Sequence, residues 1–198
     1  MLDRRHFLAT LMALPLLDRA ARAGGETACT KATMTEDGLH MQPWFIQNSF
    51  LDLKEELETA RQAGKMLAIV VERKGCPYCA RMHEDYFTRP EVCAFVRKNF
   101  AILQIDKNGA REVTDFDGET LTENAWTKKH KAFYTPITLF YDPDIKTVLK
   151  GAPGKMEAAR MDGLMAPDLF MAMYHYAHDK GYRKGSFMKY IQAQARKG

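Results

Sequence analysis

The stretch Met66-Leu67-Ala68-Ile69-Val70-Val71-Glu72-Arg73-Lys74-Gly75-Cys76-Pro77-Tyr78-Cys79 decides the reading of this chain. Its first half is an unbroken apolar run, the pattern of a parallel strand covered on both faces. The charged and glycine residues that follow end the strand, and Cys76-Pro77 opens a helix in which proline suits the first position because its missing N–H costs nothing there. Two thiols therefore stand one helical turn apart at a helix N-terminus, whose unpaired N–H groups and partial positive charge favour thiolate over thiol. Such a pair cycles between dithiol and disulfide. A Cys-x-x-Cys is also half of a zinc site, but no second ligand pair of similar spacing occurs in the chain. Copper carriage is the remaining alternative, suggested by 12 methionines and six histidines. No Met-x-x-Met or histidine cluster accompanies the dithiol, and neither a metal nor an organic cofactor is expected.

Working outward, β-α-β order follows. Phe100-Ala101-Ile102-Leu103-Gln104-Ile105-Asp106 reads as a second strand, and a strand–helix–strand unit of this length implies a parallel pair. Between them Arg89-Pro90 breaks the helix, leaving a second segment over 90–98 with Val92, Phe95 and Val96 inward. Upstream, Phe50, Leu53, Leu57 and Ala60 recur at helical spacing, which predicts a helix over 50–63 capped by Ser49. Residues 108–121 read as a surface insertion, and Thr122 as the cap of a helix to about Lys131. Ile137–Tyr141 and Lys146–Lys150 flank Asp142-Pro143-Asp144 and predict a hairpin; 151–160 reads as a loose connection. Pro167 begins a helix through about His178, and a basic tail, 181–198, is expected to be helical from Ser186, with Phe187, Tyr190 and Ile191 on one face.

The chain carries 46% hydrophobic and 27% charged residues, an ordinary globular composition, with a net charge of +4. Half of that excess lies in the first 23 residues, so no nucleic-acid partner is indicated. Those residues read as an export segment. Asp3-Arg4-Arg5-His6-Phe7-Leu8 has the twin-arginine pattern, an apolar stretch runs from Phe7 to Leu17, and Ala21-Arg22-Ala23 supplies small residues for cleavage before Gly24. The apolar stretch is short for a bilayer and contains Pro15, so a retained anchor is the weaker reading. The expected location is the periplasm. Disulfides persist in such a compartment. Cys93, on the inward stripe of 90–98, reads as a buried structural thiol; Cys29 either pairs with it or stays free.

Cys76-Pro77-Tyr78-Cys79 after the first strand and Thr135-Pro136 directly before the third together resemble the thioredoxin superfamily. The implied fold is α/β, a central mixed sheet flanked by helices, with an insertion before the third helix and a C-terminal helical extension. The implied division is an extension over 24–48, a thioredoxin-like domain over 49–180 and the tail. In that superfamily the proline before the third strand is cis and lies against the dithiol, where neighbouring backbone receives an extended substrate. Glu72, Met82-His83-Glu84, Val113–Glu119, Gly181-Tyr182, Ser186-Phe187 and Tyr190 narrow the likeness to the SoxW-type periplasmic thioredoxins over roughly 40–195.

The resemblance implies a thiol–disulfide oxidoreductase with Cys76 as nucleophile and Cys79 as resolving thiol, Pro77 and Tyr78 tuning them, and Thr135 and Pro136 meeting substrate. It also implies a disulfide- or thiol-bearing periplasmic partner protein, a membrane-bound electron donor and a monomeric state. A disulfide-forming or isomerising role uses the same residues. Thioredoxins usually carry a buried acid near the position of Val70. Here Glu72, two residues on and on the same strand face, is the candidate proton acceptor, or else a solvated strand-end carboxylate. His83, four residues past Cys79, is a candidate modulator of the thiol, or else packs.

Overall fold

A computed structural model describes residues 29–152 and 155–196. The expected export segment, 1–23, lies outside the described residues. Four strands form the central sheet in the order β4-β3-β7-β8: β3 (Met66–Glu72), β4 (Phe100–Asp106), β7 (Ile137–Phe140) and β8 (Ala159–Asp162). β3 pairs parallel with β4 and antiparallel with β7, and β7 pairs antiparallel with β8. All seven residues of β3 are buried, as its apolar run requires.

Alternation splits the core into two layers. Met66, Ala68 and Val70 face one layer, with Met82, Tyr86, Val92, Val96 and the α6 (Pro167–His178) residues Phe170 and Tyr174. Leu67, Ile69 and Val71 face the other, with Leu53, Leu57 and Ala60 of α1 (Leu53–Gln62), Trp126 of α4 (Glu123–Lys129) and Val148. The first layer also packs against α3 (Pro90–Asn99).

Several local expectations are corrected. The cap of α1 is Asp52, whose carboxylate accepts from the N–H groups of Lys54 and Glu55. Ser49 instead donates to Glu56, and Phe50 is 94% exposed rather than inward. The predicted hairpin partner of β7 is a short helix, α5 (Ile145–Val148), because the Asp144 side chain accepts from Lys146 N–H and turns the chain into a helix. The true partner is β8, inside and just beyond the stretch expected to be loose, with Ala159 and Met161 inward. The 108–121 insertion is not a surface feature. It folds as a hairpin, β5 (Glu112–Thr114) and β6 (Thr120–Thr122), and inserts Val113 and Phe116 into the core.

The chain ahead of α1 is ordered by burial. A small hairpin, β1 (Thr33–Met34) and β2 (His40–Met41), turns at Gly38, whose positive φ of 78° suits glycine. Leu39, Gln42 and Phe45 are buried, and Ile46 N–H donates to the carbonyl of Ile102 in β4. Cys29 and Cys93 form a disulfide, with Cα atoms 5.9 Å apart, so neither is a free thiol. At the other end Tyr176 packs against Phe187 and Tyr190 of α7 (Phe187–Ala195), and Tyr182 O–H donates to Asp142 at 2.6 Å. Among the described residues no helix is long and apolar enough to cross a membrane.

Candidate active site

Strand register builds the site. Val71 lies opposite Ile137 in the antiparallel β3–β7 pair, so the chain leaving β3 and the chain entering β7 meet at one edge of the sheet. Cys76 and Thr135, far apart in sequence, are thereby brought together. The sulfur of Cys76 lies 3.3 Å from the Thr135 hydroxyl, which donates to it, and 3.5 Å from the Thr135 carbonyl oxygen. The Thr135–Pro136 peptide bond is cis.

Cys76 is the N-cap of α2 (Pro77–Arg81), with Pro77 at the start of the helix, as the sequence predicts. Its sulfur accepts from Cys79 N–H at 3.2 Å and is bonded to the Cys79 sulfur. Both cysteines are almost wholly buried, whereas Tyr78 is 57% exposed. Two further aromatics, Phe133 and Tyr134, stand exposed in the segment leading to Thr135. The helix does not continue regularly to Arg89. Met82–Tyr86 forms a single π-helical turn, closed by Phe87 N–H on the Met82 carbonyl. Such widened turns are rare and recur at functional sites.

That turn carries His83, which is fully buried. Its Nε2 lies 2.7 Å from Oε1 of Glu72. Glu72 is only 1% exposed, so the solvated strand-end reading is corrected: the carboxylate points inward from the last position of β3. Its other oxygen accepts from Gln104 Nε2 at 3.1 Å. An inward carboxylate is tolerable only with such partners, because an unpaired buried charge is far costlier than the bonds that satisfy it. Tyr174 lies in the same layer, and burial pushes its hydroxyl well above an ordinary phenol, the Glu72 charge adding to the effect. Sequence reasoning missed Gln104. Its signal was a single amide in the otherwise apolar run Ile102-Leu103-Gln104-Ile105.

A second buried polar cluster props the segment that leads to Thr135 and Pro136. Asp115, in the β5–β6 hairpin, accepts from Trp126 Nε1 at 3.1 Å, Phe116 N–H at 2.9 Å, His130 Nε2 at 2.9 Å and Lys129 Nζ at 2.6 Å. Burial works against its ionisation, but the bonds from His130 and Lys129 outweigh it and hold the carboxyl well below the usual range. Arg160 of β8 donates to the carbonyls of His130 and Lys131. The segment running to Thr135 and Pro136 thus starts from a fixed point.

A thioredoxin-like domain model matches residues 53–174, more than half of the chain. The chain belongs to the thioredoxin-like family. The match spans both the Cys76–Cys79 pair and Pro136 and stops short of the N-terminal hairpin and of α7. Among solved structures, a thioredoxin-fold protein from Helicobacter pylori is 16% identical with a TM-score of 0.53, over 77% of this chain and 100% of that one. A thioredoxin from Thermus thermophilus is 18% identical, with a TM-score of 0.46 over 63% and 82% of the two chains. A DsbH oxidoreductase is 13% identical, with a TM-score of 0.45 over 76% and 96%. At these identities the likeness is one of fold. No curated protein matches the chain in sequence.

Proposed function

We propose that this thioredoxin-like protein is an exported thiol–disulfide oxidoreductase that reduces disulfides of periplasmic partner proteins, in sulfur oxidation or a related pathway, as the SoxW-type likeness suggests. The observation that carries the reading is the Cys76–Cys79 bond at a helix N-cap, with the Thr135 hydroxyl donating to the Cys76 sulfur. The Cys29–Cys93 disulfide supports an oxidising compartment.

In the reducing direction, the Cys76 thiolate attacks one sulfur of a partner disulfide, and the other partner sulfur leaves as a thiolate and takes a proton. Cys79 then loses its proton and attacks the Cys76 sulfur, expelling the second partner sulfur, which is protonated in turn. The partner gains two electrons and two protons, and this chain is left as the disulfide. Glu72, in its hydrogen bond with His83, is the group assigned to take the Cys79 proton. Pro77 and Tyr78 shape the helix start that sets thiol reactivity, and Thr135 and Pro136 face the partner's extended segment. A membrane-bound dithiol donor returns the chain, a monomer, to the reduced state. A disulfide-forming role runs the same exchange backwards, and copper carriage would use the same two sulfurs.

The test is insulin reduction with dithiothreitol by the wild type and by Cys76→Ser, together with capture of partners by Cys79→Ser. Turnover that vanishes in Cys76→Ser, with a partner held at Cys76 as a mixed disulfide, is the expected result. Absent turnover by the wild type would refute the reading.

A further inference from the structure

The N-terminal segment ahead of α1 does more than cover apolar surface. Several of its contacts converge on one place, the Glu72–His83 pair. Gln42, fully buried, donates from Nε2 to the His83 carbonyl at 3.1 Å. Gln104 donates from a single Nε2 both to the His40 carbonyl at 2.7 Å and to Glu72 Oε2 at 3.1 Å, so it ties the segment to the carboxylate. The His40 ring lies stacked 5.8 Å from that of His83, and the Phe45 ring lies 5.4 Å from it. The segment therefore forms the wall that shields Glu72 and His83 from solvent. Its far end is bonded covalently to α3 through Cys29–Cys93, a cross-link between residues 64 apart in sequence. Cys93 is wholly buried on the inner stripe of α3, whereas Cys29 is partly accessible.

We propose that Cys29–Cys93 is a second redox-responsive bond that tunes the first, with Gln42 and Gln104 as the positioning residues that transmit its state. The proposal rests on the oxidoreductase reading of Cys76–Cys79. While Cys29–Cys93 is intact, the segment is clamped and the Glu72 carboxylate stays dry, held by His83 one helical turn past Cys79, where a negative charge opposes thiolate formation and so disfavours the reduced form. A small dithiol reductant entering at Cys29 breaks that bond. Two electrons and two protons pass to give two thiols, and the reductant closes to its own disulfide. The segment then keeps only its own hairpin and noncovalent contacts, and water reaches the carboxylate and screens it. The Cys76–Cys79 disulfide becomes easier to reduce. The second disulfide thus reports the redox state of the compartment to the site.

The full-length protein lacking only its export segment, with Cys29→Ser and Cys93→Ser together, is equilibrated at pH 7 with defined ratios of reduced and oxidised glutathione. The Cys76–Cys79 state is read by alkylation and mass spectrometry. Gln42→Leu, which keeps the second disulfide and the size of the side chain but removes the bond to His83, is measured alongside. Both variants are expected to shift the equilibrium toward the dithiol by about fivefold, the worth of one hydrogen bond. Gln42→Leu also guards against a double variant that fails to fold, since its disulfides remain. An equilibrium constant within about twofold of wild type in folded Gln42→Leu would overturn the coupling. So would a shift in either variant toward the disulfide. Failure of wild-type Cys76–Cys79 to exchange with glutathione at all would overturn the oxidoreductase reading and the coupling with it.

Discussion

Replacing Asp115 by Asn removes one charge from the cluster that anchors the segment leading to Thr135 and Pro136, and reverses the polarity at one of its two acceptor atoms. The structure gives four donors on this carboxylate, two to each oxygen. Asn keeps an oxygen for Trp126 and Phe116, but its NH₂ then meets His130 and Lys129, so donor faces donor. Lys129 retains Asp117 and Glu119, whereas His130 is buried and loses its Nε2 partner. Breaking one side of such a buried pair costs about 3–5 kcal/mol. At roughly 2–4 °C per kcal/mol for a domain of this size, the melting temperature should fall by roughly 6–20 °C. The sign with pH follows from the depressed carboxyl of Asp115. Its contribution is complete above the ordinary carboxylate range, near ~4, and is lost as pH falls through the lower native value. The gap between wild type and Asp115→Asn should therefore be full at neutral pH and narrow progressively below about pH 4. Denaturant melts across that range supply the measurement. A gap under about 1 kcal/mol at neutral pH, or one that widens on acidification, would refute the argument.

Other outcomes follow from single contacts. In a Cys79→Ser background, Thr135→Val removes the hydroxyl that donates to the Cys76 sulfur. Because a hydrogen bond to a charged acceptor is worth about 1.5 kcal/mol or more, alkylation of Cys76 by iodoacetamide at pH 7 should slow by roughly tenfold. Gly109→Ala places a methyl group against the Glu123 carboxylate, which is held by Asp106 N–H at 2.9 Å and Arg111 at 2.6 Å. It should destabilise the protein by about 1–3 kcal/mol in urea melts while leaving the dithiol equilibrium with glutathione unchanged.

The β3–α2–β4 unit and the Thr135-Pro136 junction were legible because each rests on local signals: an apolar run, a proline at a helix start, a proline before a strand. The β7 partner was not. Lys146-Thr147-Val148 has the β-branched residues of a strand, yet one carboxylate at Asp144 caps it into a helix, and the alternation in Ala159-Arg160-Met161-Asp162 was hidden behind glycines and a proline. Glu72 reads in sequence equally as a proton acceptor near the dithiol and as a surface charge beside Arg73 and Lys74. What buries it comes from distant positions, His83 and Gln104, and no local pattern announces that meeting. The N-terminal segment has weak periodicity because its structure comes from Leu39, Gln42 and Phe45 docking on the sheet, not from any propensity of its own.

The spacing of the four cysteines bears on how the chain matures. Cys76 and Cys79 are three residues apart and meet as soon as one turn of helix forms, whereas Cys29 must await α3 and the docking of the whole N-terminal segment. Oxidation in chain order would threaten Cys29 with capture by the wrong sulfur, since Cys76 and Cys79 both emerge before Cys93. Early closure of the local pair removes both free thiols from that competition, and a Cys29 caught on either sulfur is released when the neighbouring cysteine attacks it. The short-range bond at the helix start thus also serves, during maturation, to steer Cys29 toward Cys93.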